Sequence, residues 1–350
     1  MSNSLANGKS RKSNPARAFG YQSGVRVQGT PLVCNAPRTA GALAFISHAD
    51  VVAARVGVRS PITAAQVLLT QTCANLLQAA GHDLGSRALV ANYGRPFVLG
   101  LLRVELFPSG VAPGSASLLC ESPKGHVVFA GPLGLDQPGA QVLQAEIRPA
   151  SALCIDATSA ALEESFAPVN EAISAAVAFV KDALAASRQP VLLTGIDCLT
   201  LQLAQALQTA GILVRAHVSL FRLADVHRAA GLQSPTLHRF TSSLGLNEAL
   251  LLPVQAKAPV TLARLKAPTV ALTVGLPVSL ADVKRLRPDA VIPIGNVANR
   301  KGLLSYVKAT GAKEVATLND PKGAFAALLR QEGLDAYALG PPAQMTLFAA

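Results

Sequence analysis

The sequence predicts a mixed α/β fold built in two parts, and three observations carry that reading. Between about residues 20 and 160, short apolar runs alternate with glycine and proline turns, the texture of a strand-rich layer. From about residue 160 strands and helices alternate, which implies a parallel sheet flanked by helices. Half of the 350 residues are apolar and 15% are charged, enough to bury a sizeable core in one large domain or two interlocked ones. With no Trp and 4% aromatics, that core is built from aliphatic packing.

The elements follow in order. Residues 1–18 carry Lys9, Arg11, Lys12 and Arg17, no acid and no amphipathic period, and are expected to form a disordered basic arm. The arm lacks the apolar stretch of a secretory signal, and its composition otherwise suits an organelle transit peptide. Strands are expected at Val25–Val33 and Ala42–Ser47. Ser60-Pro61 opens a helix over Ile62–Ala80, stopped by Gly81. Further strands follow at Ala88–Ala91, Phe97–Leu99, Leu102–Phe107, Ala116–Glu121 and His126–Ala130.

Glu164–Ala186 reads as a long amphipathic helix, Pro190–Thr194 as a buried strand and Leu199–Ala210 as a helix. Asp197 suits the cap of that helix. Ile212–His217 is a strand and Leu223–Ala230 a helix. Then come strand Thr269–Val274, helix Ser279–Leu286 and strand Ala290–Ile294. Helix Gly302–Thr310, strand Glu314–Leu318 and helix Gly323–Gly333 complete the pattern. The expected division is a first core part over 19–160, an α/β insert over 161–287, a return of the core over 288–340 and a tail over 341–350.

The formal net charge of +11 favours an anionic partner. Asp50 is the first acid in the chain. A second basic run holds Lys257, Arg264, Lys266, Lys284, Arg285, Arg287, Arg300, Lys301, Lys308 and Lys313, opposed only by Asp282 and Asp289. It reads either as a solvated surface or as a groove for a phosphate backbone, with no aromatic residues interleaved for base stacking. Lys9, Arg11, Lys12, Lys284, Arg285, Arg287, Arg300 and Lys301 are the candidate nucleic-acid contacts. The five cysteines are widely spaced with no C-x-x-C, which points to buried thiols in a reducing compartment. The expected location is cytoplasmic, or an organelle matrix if the arm is a transit peptide. No uninterrupted apolar stretch is long enough to cross a bilayer, so no membrane partner is expected.

Six segments in order carry a family resemblance. They are Ala44–Asp50, Phe107–Ala116, Val128–Pro132, Cys154–Thr158, Gly295–Leu304 and Glu314–Asn319. Together they resemble the metallo-β-lactamase-fold nucleases found beside bacterial DNA ligases, which in turn are similar to the β-CASP nucleases of messenger-RNA 3′-end processing. The resemblance spans roughly residues 20–340. It implies a metallo-β-lactamase-like αββα sandwich with an inserted β-CASP-like α/β subdomain.

The same resemblance implies an emptied metal site. The degenerate site comprises His48, Asp50, Val111, Pro132, Val297 and Leu318 at positions matching the family's ligands, with Asp156 keeping the acid of the family's acidic segment at its periphery. The H-x-H-x-D-H run reads His48, Ala49, Asp50, Val51, Val52, Ala53, so its last two ligand positions are Val52 and Ala53. Two family acids near Val297 are Asn296 and Asn299. Two-metal hydrolysis needs imidazoles and carboxylates that hold two cations about 3.5–4 Å apart, so that a bridging water becomes hydroxide near neutral pH. Apolar walls make a buried cation costly. No metal or other cofactor is expected. His82, His126, His217, His227 and His238 lie far from these positions in sequence and read as surface or structural histidines.

The expected function is that of a catalytically inactive nuclease homologue, serving as a nucleic-acid-binding or scaffold subunit. Its expected partners are an RNA or DNA backbone, and an active paralogue or a ligase- or helicase-type protein. Two alternatives stand beside it. One is a metal-dependent exonuclease or phosphodiesterase with a rebuilt ligand set. The other is a structural component of a ribonucleoprotein.

Overall fold

A computed structural model of the chain describes residues 17–36, 38–50, 62–123, 125–135, 140–254, 256, 258–275 and 285–340. No helix among them is long and apolar enough to cross a membrane. The first sheet takes strands β1 (Phe19–Tyr21), β2 (Val25–Val27), β3 (Leu32–Cys34), β4 (Leu43–Phe45), β5 (Gln66–Leu69) and β6 (Ala88–Val90) in chain order. The single strand expected over Val25–Val33 is a hairpin. Gly29, at φ 77°, turns the chain, and the Thr30 hydroxyl donates to Val27 O at 2.8 Å.

The helix expected over Ile62–Ala80 is also corrected. Its first part is strand β5, and only Gln71–Ala79 is helical (α1). Val67 and Leu69 face α1 while Leu68 faces the second sheet, so both faces of β5 are buried. Apolar residues on both faces leave no period of two, and the run then passes for a helix stripe. Thr70 starts α1 where β5 ends, its hydroxyl accepting from Cys73 N at 3.2 Å. The chain continues through β7 (Phe97–Leu99), β8 (Leu102–Pro108), β9 (Ala116–Ser122), β10 (Gly125–Gly131) and β11 (Ala152–Asp156).

A third sheet is then laid down from a run of alternating elements. These are α2 (Val169–Ala185), β12 (Gln189–Thr194), α3 (Cys198–Thr209), β13 (Leu213–Ala216), α4 (Val218–Ala229), β14 (His238–Arg239), β15 (Glu248–Pro253), α5 (Ala258–Leu262), β16 (Pro268–Val274) and β17 (Ala290–Ile294). The sheet is wholly parallel, in the order β14-β13-β15-β12-β16-β17. Strand β15, at its centre, is absent from the sequence reading. Its residues are all buried, so it shows no alternation, as parallel strands covered on both faces do not. Helix α2 starts at Val169 rather than Glu164, because Pro168 disfavours helical backbone in the residue before it. Helix α4 starts five residues earlier than expected, with His217 as its cap. Most of the helix expected at Ser279–Leu286 lies outside the described residues. Ala290–Ile294 pairs with β16, so by strand pairing it sits with the third sheet, beyond the boundary expected at 287.

The chain returns through α6 (Arg300–Thr310), β18 (Glu314–Leu318), α7 (Ala324–Gln331) and β19 (Asp335–Leu339). Strands β18 and β19 complete the second sheet, ordered β19-β18-β11-β10-β9-β8-β7. The period of two then decides the layers. Phe45, Leu68, Leu106, Leu118, Phe129 and Cys154 fill the space between the first two sheets, with Phe45 edge-on to Phe129 at 6.0 Å. The alternate residues of the second sheet, among them Phe107, Val128 and Leu153, pack under α6 and α7. Those of the first sheet pack under α1. Four layers result, helix on sheet on sheet on helix. Arg17 and Ala18, expected in the arm, are instead tied down. Arg17 pairs with Asp335 at 2.7 Å and lies over the Tyr337 ring, and the Ala18 amide donates to Glu314. Cys34, Cys73, Cys120 and Cys154 are buried free thiols, and Cys198 is half-buried.

Candidate functional site

Strands β10, β11 and β18 run parallel, so their C-terminal ends share one rim of the second sheet. The end of β4 meets that rim, since the Ala116 amide donates to Ser47 O at 2.7 Å. The expected positions His48, Val111, Pro132, Asp156, Val297 and Leu318 fall there, whereas Asp50 lines a cavity beside the third sheet. His48 follows Ser47, whose hydroxyl shares a 2.8 Å hydrogen bond with His48 Nδ1. Pro132 follows Gly131, where an added Cβ would stand 3.6 Å from Ser47 Oγ. Asp156 and Leu318 are register partners at the ends of β11 and β18. Val111 lies in the β8–β9 turn and is held to the segment carrying Val297 by Asn296.

The rim's few polar groups are engaged with protein. Asp156 Oδ2 accepts from the Asn319 side-chain amide at 2.7 Å, and Oδ1 from the Thr158 backbone amide at 2.8 Å. His48 is half-buried, and burial lowers its pKa against the opposing pull of Asp50 and Asp156. Val111, Pro132, Val297 and Leu318 offer no donor atom to a cation. Among the described residues no group of three His, Cys, Asp or Glu is placed to hold a metal ion. The residues present do not fit a two-metal centre.

The two asparagines do structural work that sequence reading passed over. Asn296 is buried at 4% exposure, and its Nδ2 donates to Gly110 O at 3.1 Å and to Val111 O at 2.9 Å. An aspartate has no proton to donate to either carbonyl. Around it three backbone segments touch. Gly134 N donates to Ser109 O at 2.9 Å, and a Cβ at Gly134 would overlap Gly110 O. Asn299 caps α6, accepting from Gly302 N at 2.9 Å while donating to Glu163 O at 3.1 Å.

A second polar group sits where the core meets the third sheet. Ala49, Asp50, Pro113, Asp197, Cys198 and His227 line a cavity of about 20 Å³, room for about one water. Asp197 caps α3 as expected, Oδ1 accepting from Thr200 N at 2.8 Å. Its other oxygen packs over Gly195, where a Cβ would overlap it. Burial, reinforced by Asp50, raises the Asp197 pKa despite the stabilising bonds from Thr200. Burial also lowers His227, and Asp50 opposes that shift. His227 thus stands beside one of the expected ligand positions, contrary to its sequence distance. Its neighbours there, Asp50 and Asp197, come from other elements, which no local spacing reveals. Cys198 lies at the same place, but burial pushes its thiol up and leaves it no thiolate nucleophile at neutral pH.

Of the expected nucleic-acid contacts, Lys9, Arg11, Lys12 and Lys284 lie outside the described residues. The rest are not one cluster. Arg285 and Arg287 precede β17, whereas Arg300 and Lys301 open α6 beyond its other end. Arg300 is engaged, donating to Ala160 O at 2.9 Å and pairing with Glu163 at 3.4 Å.

No family model matches the chain. It is 24% identical over 245 residues, 70% of its length, to a protein of Opitutus terrae named as a probable DNA ligase. The chain spans about a quarter of that relative, 24% of its length. Among solved structures, it resembles a protein of unknown function from Enterococcus faecalis V583. The TM-score is 0.53 at 12% identity, over 79% of this chain and 74% of that one. That likeness concerns the fold alone.

Proposed function

We propose that the chain is a nuclease-like protein of the metallo-β-lactamase fold whose metal site has been emptied. In this reading it serves a DNA-related process as a nucleic-acid-binding or scaffold subunit. Asn296 carries the reading. At a position where the resembled nucleases hold an acid, it is a neutral amide committed to two carbonyls. Val111, Pro132, Val297 and Leu318 at the same rim support it, as does the engagement of both Asp156 oxygens. The likeness to a protein named as a probable DNA ligase supports the DNA setting. The four-layer packing supports a metallo-β-lactamase-like core over 19–160 and 288–340. The parallel third sheet supports a β-CASP-like insert over 161–287, with the pairing of Ala290–Ile294 extending it slightly.

The partners proposed are a nucleic-acid backbone and an active paralogue or a ligase- or helicase-type protein. Incubating the purified chain with labelled DNA, with and without Mn²⁺ or Zn²⁺, tests the reading. Salt-dependent binding without cleavage is expected. Cleavage that disappears in His48→Ala would overturn it.

A further inference from the structure

We infer that the N-terminal edge of the third sheet is a docking surface for a nucleic-acid phosphate backbone. The inference rests on the nucleic-acid reading above and gives it a location, away from the emptied rim. Strands β12, β16 and β17 are adjacent and parallel, with Gln189 opposite Pro268 and Ala271 opposite Ala290. Their N-terminal ends therefore lie side by side. Arg188 precedes β12, Arg264 and Lys266 precede β16, and Arg285 and Arg287 precede β17, and all five residues are exposed. The edge is built rather than loose. Arg188 donates to Pro268 O at 3.0 Å, and Gln189 Oε1 accepts from Lys266 N at 2.8 Å. In the described approach segments Asp289 is the one acid, and its Oδ2 accepts from Val270 N at 2.7 Å.

The dimensions suit a polyanion. Two strand spacings cover about 10 Å. A DNA duplex presents about six phosphate charges over that length, against five cations here. Four of the five are arginines, whose planar fork matches phosphate oxygens in pairs. No aromatic residue stands among them, so the surface addresses backbone rather than base.

Fluorescence anisotropy of the full chain with a short labelled DNA duplex, and separately an RNA strand, over a salt series tests this. The edge variant is Arg264→Glu/Lys266→Glu/Arg287→Glu, and a milder Arg264→Ala/Lys266→Ala stands behind it should the triple variant melt early. The charge-matched control is Arg103→Glu/Lys181→Glu/Arg222→Glu, exposed cations elsewhere. The edge variant is expected to bind at least about tenfold more weakly, and its salt slope to fall by about two to three. The control should lose much less. Equal losses in both variants would mean net charge alone and overturn the inference. So would equally strong competition by poly-glutamate, which would make this an acidic-protein surface. Wild type that binds while the edge variant binds as well overturns only the location. Wild type that binds neither probe at low salt overturns the nucleic-acid reading too.

Discussion

The side-chain amide of Asn296 donates to the backbone carbonyl of Val111 at 2.9 Å, across 185 positions of sequence. With its second bond to Gly110 O, it closes the rim where strands of the second sheet end. It ties these segments into a packed structural joint.

Asn296→Asp is therefore expected to cost about 3 kcal/mol, by losing both donors and burying an unpaired charge beside carbonyl oxygens. Asn299→Asp should cost within about 1 kcal/mol, because aspartate caps a helix as well as asparagine does. Urea unfolding of both variants measures the contrast. Equal losses would show that Asn296 is not the joint described.

Gly134 is a second test of that joint. A Cβ there would overlap Gly110 O and stand 3.1 Å from Asn296 O, so backbone has to move. Gly134→Ala should cost about 3 kcal/mol, the upper end for overpacking. Gly340→Ala, where no atom lies within 4 Å, should stay within about 0.5 kcal/mol. A Gly134→Ala midpoint equal to wild type would contradict the close approach.

Burial lowers the pKa of His48, His217 and His227 from 6.5. The unfolded chain then takes up protons that the fold refuses. Stability from this source is full above about pH 6.5 and falls as the pH drops through the range below it. Asp197 is shifted upward from 3.8 and acts oppositely, its neutral form favouring the fold as pH falls toward that value. His227→Gln should lose less stability than wild type between pH 7.5 and 5.5 in urea melts. An unchanged pH dependence would remove His227 from the account.

How much of this was legible in sequence follows from local and non-local causes. Asp197 as a helix cap was readable because its partner, Thr200, is three residues on. The meeting of His48, Asp156 and Leu318 at one rim came from matched motifs rather than from any local signal. Strand β5 reads as helix in the sequence and β15 gives no strand signal, because burial on both faces erases alternation. The partners of Asn296 and the surroundings of His227 lie on distant segments, and no spacing rule reaches them. The division of the basic residues between the two ends of β17 depends on strand direction, which composition does not encode.

Elemental analysis of the purified full chain, beside His48→Ala, decides whether the proposed site holds a metal. Zinc and manganese well below one equivalent are expected in both proteins. One equivalent of either metal in the wild type, lost in His48→Ala, would contradict an emptied metal site.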